Sequence, residues 1–144
     1  IDQLKKHNVN IYEGEISILS FNVVLINSDF DIKYKVNREL LHRDILAKDM
    51  CSSYEPTIYP GVNMKYYYNT NNTDGICCCN SICNGKGNAD GDGNCKRVTI
   101  AVFNSGKIII TGGNNIKQLS TCHSFISNIL KNRAKYEMVN YETK

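Results

Sequence analysis

The chain has 144 residues, 42% of them hydrophobic, and a formal net charge of +3. That is enough length and apolar content for one domain with a core, and it argues against a disordered chain. No apolar run approaches the roughly 20 residues of a membrane-spanning helix. The charge is uneven: residues 96–144 carry 8 basic and 2 acidic side chains, against 7 and 8 in residues 1–50 and 2 and 4 in residues 51–95. A basic surface in the last third suits a polyanionic partner, although a charge run is more often just a solvated face. The start at Ile1 rather than Met leads to the expectation of a processed or partial chain.

Residues 1–14 read as a linker or the end of a preceding helix. Residues 15–27, EISILSFNVVLIN, read as a strand with Phe21, Val23 and Leu25 on one face. Residues 28–36 read as a second extended segment, in which Phe30, Ile32, Tyr34 and Val36 alternate with charge. Asn37 is a fitting N-cap for a short helix, RELLHRDILAKD, with Leu41 and Ile45 one turn apart. Residues 52–62 hold two prolines and no periodicity, so a loop is predicted, followed by a strand over 63–69. Residues 97–103 and 107–111 are two β-rich runs joined at Asn104-Ser105-Gly106, a hairpin. Asn114 or Asn115 can cap a helix over about 115–133, with Ile116, Leu119, Cys122, Ile126, Ile129 and Leu130 as its core stripe. A basic tail, 134–144, closes the chain. The order predicts an α+β fold, an antiparallel sheet with helices on one face.

The hairpin raises the question of the sheet's other face. Val98, Ile100, Val102, Ile108 and Ile110 make one aliphatic face, fit to lie under helices. Thr99, Ala101, Phe103, Ile109 and Thr111 make a second face that is mixed, with no charge in its middle. An antiparallel sheet usually turns a charged face to water. This one suits a surface that something covers: a ligand, a second layer or a partner subunit.

Five of the seven cysteines fall within residues 75–95, GICCCNSICNGKGNADGDGNC. Three are adjacent, which makes a poor staple for distant loops and favours a metal in a reducing, intracellular setting over a secreted disulfide framework. Asn88-x-Asp90-x-Asp92-Gly93 imitates the start of a calcium loop. The twelfth position, however, is Thr99, and no helices flank it. No enzyme reading gathers support. Cys122 and His123 are neighbours on a predicted helix and diverge by about 100°. The glycines at 85–87 lack the spacing of a phosphate loop.

Ser52-Ser53-Tyr54-Glu55-Pro56, Tyr59-Pro60-Gly61, Lys65, Phe103-Asn104-Ser105-Gly106-Lys107 and Thr111-Gly112 follow one another in the order seen in the second repeat of the TATA-box-binding protein family. With the Cys-rich segment set aside, residues 15–133 resemble one such repeat. The insert itself resembles that of TATA-binding-like proteins of large DNA viruses, with a host nucleus or viral factory as the implied location. The resemblance implies a curved antiparallel sheet with helices on its convex face. Its concave face would dock on the minor groove of A/T-rich DNA in transcription initiation. Phe103 matches a wedge, and Tyr59 stands where a second wedge is normally Phe. Ile109, Thr111, Thr99 and Ala101 match the groove floor, and Lys65, Arg97 and Lys107 match positions that meet phosphates. At the asparagine of the family's first strand, alignment places Val24 or Leu25, with Asn22 and Asn27 nearby. General transcription factors are the implied protein partners. The implied saddle needs two repeats, so either a second repeat or a second copy completes it. A domain of this fold that has lost DNA binding and contacts transcription proteins is the other reading.

The same resemblance puts residues 69–96 at the tip of a hairpin, an insert too polar and glycine-rich to build its own core. Zinc on Cys77, Cys79, Cys83 and Cys95 would close it, with Cys78 spare or replacing a neighbour. Free or disulfide-linked cysteines are the alternative.

Overall fold

The computed structural model describes residues 17–139. Five strands, β1 (Ile26–Asp31), β2 (Cys51–Ser53), β3 (Val62–Tyr68), β4 (Lys96–Val102) and β5 (Lys107–Gly113), form one antiparallel sheet in the order β1-β5-β4-β3-β2. Helix α1 (Arg38–Leu46) follows β1, α2 (Ile116–Leu130) follows β5, and a single turn, α3 (Arg133–Tyr136), follows α2. Both longer helices begin at asparagine caps. The Asn37 side chain accepts from the Leu40 amide and Asn115 from the Gln118 amide, which satisfies amides that helix starts leave orphaned.

The alternation in each strand sorts the two faces. Val62, Met64, Tyr66 and Tyr68 of β3, Val98, Ile100 and Val102 of β4, and Ile108 and Ile110 of β5 are buried. They meet Leu41 and Ile45 of α1 and Leu119, Cys122, Ile126 and Leu130 of α2 in one core. Ile116, predicted in the α2 stripe, is largely exposed at the first turn, and Ile129 is half-buried. Gln118 is buried instead, its side chain accepting from the Asn114 amide.

The strand predicted over 15–27 is not there. Residues 17–25 are in no strand, and Leu19 and Phe21 are 95% and 87% exposed. Residues 15 and 16, like 1–14, lie outside the described residues. Apolar alternation makes a strand only where the segment pairs in register with a neighbouring strand. The edge of β5 is taken by residues 26–31, which begin inside the predicted strand and end inside the next predicted segment. Past Asp31 that segment turns, with Lys33 at φ 65 and its amide donating to the Asp31 carboxylate. Tyr34 and Val36 still reach the core, and the Tyr34 hydroxyl donates to the Leu130 carbonyl at 2.5 Å. The region predicted as loop over 52–62 contributes the short strand β2, paired with β3 through Cys51–Lys65 and Ser53–Asn63. Residues 133–138 pack on the body: Tyr136 is buried against Asp44, and the Met138 amide donates to the Lys35 carbonyl.

Gly106 makes the β4–β5 turn possible. It sits at φ +93, and a Cβ there would lie 2.4 Å from the Tyr34 carbonyl oxygen. Gly106→Ala is therefore expected to destabilise the fold by about 2 kcal/mol, through backbone strain plus contact. Chemical denaturation would measure it, and an unchanged midpoint would contradict that account of the turn.

Candidate nucleic-acid interface and metal centre

Among the described residues no helix covers the second face of the sheet, and its cross-strand pairs place the predicted site residues in rows. One row runs Asp29–Ile109–Ala101–Asn63–Ser53, from β1 to β2. The next runs Thr111–Thr99–Lys65–Cys51. Beyond it Arg97 pairs with Tyr67 at the outer end of the β3–β4 hairpin. Ala101 is buried by its neighbours, while Ile109, Thr111, Thr99 and Asn63 are half-buried. The floor is thus small, aliphatic and hydroxyl-bearing.

At the opposite end of β4, Phe103 continues the parity of Thr99 and Ala101 onto this face. Its ring meets Tyr59 edge to face, with centroids 5.7 Å apart and planes at 60°. Gly61 lies between them, and a Cβ there would come within 2.8 Å of the Tyr59 ring. Both predicted wedge residues therefore stand together at one end of the floor.

The cations are distributed unequally. Lys65 lies in the middle row and donates to the Thr99 hydroxyl at 2.8 Å. Burial first, and the nearby Arg97 second, push its pKa below the usual lysine value. An anion brought alongside would relieve both effects. Arg97 is exposed. Lys107 reaches Asp29, 3.2 Å away across the β1–β5 pair, so a phosphate there competes with a carboxylate.

Sequence reading missed five residues of this face: Asn63, Tyr67, Asp29, and Cys51 and Ser53 of β2, which it placed beside or inside a loop. Asn63 and Tyr67 alternate with the buried residues of β3, a period-2 signal legible in NMKYYY. Asp29 needed the register of β1, which sequence misplaced.

The Cys-rich insert closes on itself at the hairpin tip. The sulfurs of Cys77, Cys79, Cys83 and Cys95 all lie within 4.8 Å of one another, with Cys79–Cys95 at 3.5 Å and Cys77–Cys95 at 4.0 Å. A tetrahedral zinc with bonds of about 2.3 Å separates its sulfurs by about 3.8 Å, so the donor set fits that ion. Backbone amides support the thiolates: those of Gly85 and then Cys95 act on Cys83, whose pKa is lowered to about 7, and the Asn69 amide group donates to Cys95. Burial, by contrast, pushes Cys95 up. Cys78 is exposed, turned toward the Asn72 side chain at 2.9 Å and outside the cluster. Cys122 is buried on the core-facing side of α2.

Asp92 has a structural task. Its carboxylate accepts from the Asn80 and Ser81 amides and from the Ser81 hydroxyl, tying the two halves of the insert together. The insert also completes the hairpin on both sides. The Tyr67 amide donates to Gly75 and the Arg97 amide to Gly85, each at 2.8 Å. Gly85 is at φ +72, and a Cβ there would collide with the Arg97 side chain.

The sequence model described as "Transcription factor TFIID (or TATA-binding protein, TBP)" matches residues 20–133. The chain belongs to the TATA-binding protein family. The family is one of non-enzymatic DNA-binding factors. A relative from Acanthamoeba polyphaga mimivirus, "TATA-box-binding protein-like", is 32% identical over 117 residues, covering 81% of this chain and 28% of that protein. The TATA-binding protein match spans every strand and both longer helices, with the cysteine cluster inside it. Among the described residues no helix is long and apolar enough to cross a membrane.

Proposed function

We propose that this chain is a module of a transcription initiation factor that docks the open face of its sheet on the minor groove of A/T-rich duplex DNA and bends it. The observation that carries the reading is the aromatic pair Tyr59–Phe103 at one end of an aliphatic and hydroxyl-lined floor, with Lys65 and Arg97 further along it. A floor of this kind suits an unstacked, widened groove. Apolar wedges open a base step, a mode known from the TATA-binding protein itself. Cations then hold the backbone by neutralising phosphates. Phe103 and Tyr59 are the wedges in this reading, Thr99, Ala101, Ile109 and Thr111 the floor, and Lys65, Arg97 and Lys107 the phosphate contacts.

Zinc on Cys77, Cys79, Cys83 and Cys95 is part of the reading, as a structural ion that holds the insert in place beside Arg97 and Tyr67. A second repeat or a second copy would meet the outer edge of β1, which has no strand partner among the described residues. General transcription factors would dock on the helical side, in the nucleus or viral factory where promoters are read.

The test is energy transfer across an end-labelled A/T-rich duplex, titrated with the zinc-loaded chain at two salt concentrations. The ends approach, and affinity falls as salt rises. Lys65→Ala and Arg97→Ala are each expected to weaken binding similarly on all sequences and to flatten the plot of log K against log salt by about one unit. A second reading, a domain that keeps the fold and binds transcription proteins but not DNA, is favoured by Asp29, a carboxylate on the open face that engages Lys107. Under that reading no salt-dependent duplex binding is seen.

A further inference from the structure

Asn63 breaks the local rules of its strand. Asparagine is depleted in strands because its side chain competes for backbone hydrogen bonds. Here it sits inside β3, in the row between Ala101 on β4 and Ser53 on β2, half-buried on the open face. Several other asparagines have clear tasks. Asn37, Asn115 and Asn132 cap helices, and Asn69 and Asn72 hold the insert through several bonds. No described residue hydrogen-bonds the carboxamide of Asn63. A valine would continue the floor formed by Ala101 and Ile109 and would suit the strand better. A residue that gives up local fitness without a structural return marks a functional position.

Its place defines what it meets. Asn63 is two residues past Gly61, which makes room for the Tyr59–Phe103 pair, and two residues before Lys65. Along β3 it is therefore the first polar group inside the wedge. In the minor groove an A·T pair shows only the acceptors N3 and O2, whereas a G·C pair adds the guanine 2-amino donor. An aliphatic floor leaves that amino group without a partner. A carboxamide has an oxygen to accept from it and an NH2 to donate to N3 or O2.

Resting on the minor-groove reading above, we propose that Asn63 reads a base edge just inside the wedge and makes a G·C pair acceptable at that one step. The chain's site is then A/T-rich with one tolerant position, set by a single side chain rather than by the flexibility of the DNA.

The experiment uses the zinc-loaded chain and a set of duplexes: an all-A/T site and versions with one G·C pair moved stepwise through it. Affinities are compared for wild type, Asn63→Val and Asn63→Thr, each checked for an unchanged melting temperature. Wild type is expected to accept G·C at one position within a few-fold of the A/T site. Asn63→Val is expected to lose about 10-fold or more at that position alone, the effect of one base contact, and to bind the all-A/T site at least as well as wild type. Rejection of G·C at every position by wild type, or an equal or absent effect of both variants across the set, overturns the assignment and leaves minor-groove docking standing. No binding of any duplex by wild type overturns both.

Discussion

Phe103→Ala is expected to abolish bending of an A/T-rich duplex and to weaken binding about 30-fold or more, the scale of a central aromatic anchor. The fold should survive. Phe103 is half-buried on the open face, and its described ring partner is Tyr59. Losing an edge-to-face pair costs about 1 kcal/mol of stability, a few degrees of melting temperature for a chain of this size. Energy transfer across the duplex reads the bend, and circular dichroism checks the fold. Tyr59→Phe should act in the opposite direction. The tyrosine hydroxyl must shed water to enter a base step, and removing it lifts that cost. A Phe103→Ala protein that bends DNA like wild type would remove the wedge from the mechanism, whatever the affinity.

Metal removal is the second large effect. The zinc-loaded chain should hold one ion, and chelation should strip hydrogen-exchange protection from the Gly87, Ala89 and Asn94 amides, whose acceptors all lie inside the insert. Amides of β4, β5 and α2 should remain protected at first, because their core forms around residues outside the insert. The loss cannot stay entirely local, since Ala89 is part of the core cluster and Ile76 packs against it. Structural zinc sites supply folding free energy on the order of 10 kcal/mol in isolated peptides. If only about 3 kcal/mol reaches the rest of this chain, the melting temperature falls by about 10 °C. Cys83→Ser and Cys95→Ser should each abolish stoichiometric zinc binding, while Cys78→Ser should leave it intact. A Cys78→Ser chain that loses its zinc would reassign the ligand set.

The pH dependence of zinc binding follows from the sulfur environments. The Gly85 amide holds Cys83 at about 7, below an ordinary thiol. A lowered folded-state value favours the thiolate, so the ligand is ready above pH 7 and takes up a proton as pH falls through it. Cys95, pushed up by burial, keeps its proton until the ion arrives and releases it then. Zinc affinity should fall from pH 8 to pH 6, with protons released on binding in calorimetry.

Much of the fold was legible because its signals are local. Asn37 and Asn115 cap the helices as expected, since a cap needs only the amides that follow it. The burial of Val98, Ile100 and Val102 under the helices and the turn at Gly106 come from alternation and backbone freedom within a dozen residues. The family, too, was readable in motifs such as SSYEP and FNSGK. The four-cysteine cluster was legible in outline from spacing, and alternation along CCC already singled out Cys78 as the thiol that turns away. The tip's folding adds where that thiol goes, beside the Asn72 side chain.

What only the tertiary structure decided is pairing. Residues 15–27 looked like a strand because Phe21, Val23 and Leu25 alternate, yet alternation does not choose a partner, and register with β5 selected 26–31. The same register put Asp29 beside Lys107, and the β2–β3–β4 register put Asn63 in the floor. By itself the sequence determined which segments can be helix or strand, which cysteines can meet and which family the chain belongs to, all of which depend on neighbours along the chain. Which side chains share the open face with the Tyr59–Phe103 pair was decided by hydrogen bonding between strands distant in sequence, where a shift of one residue sends every side chain to the other side.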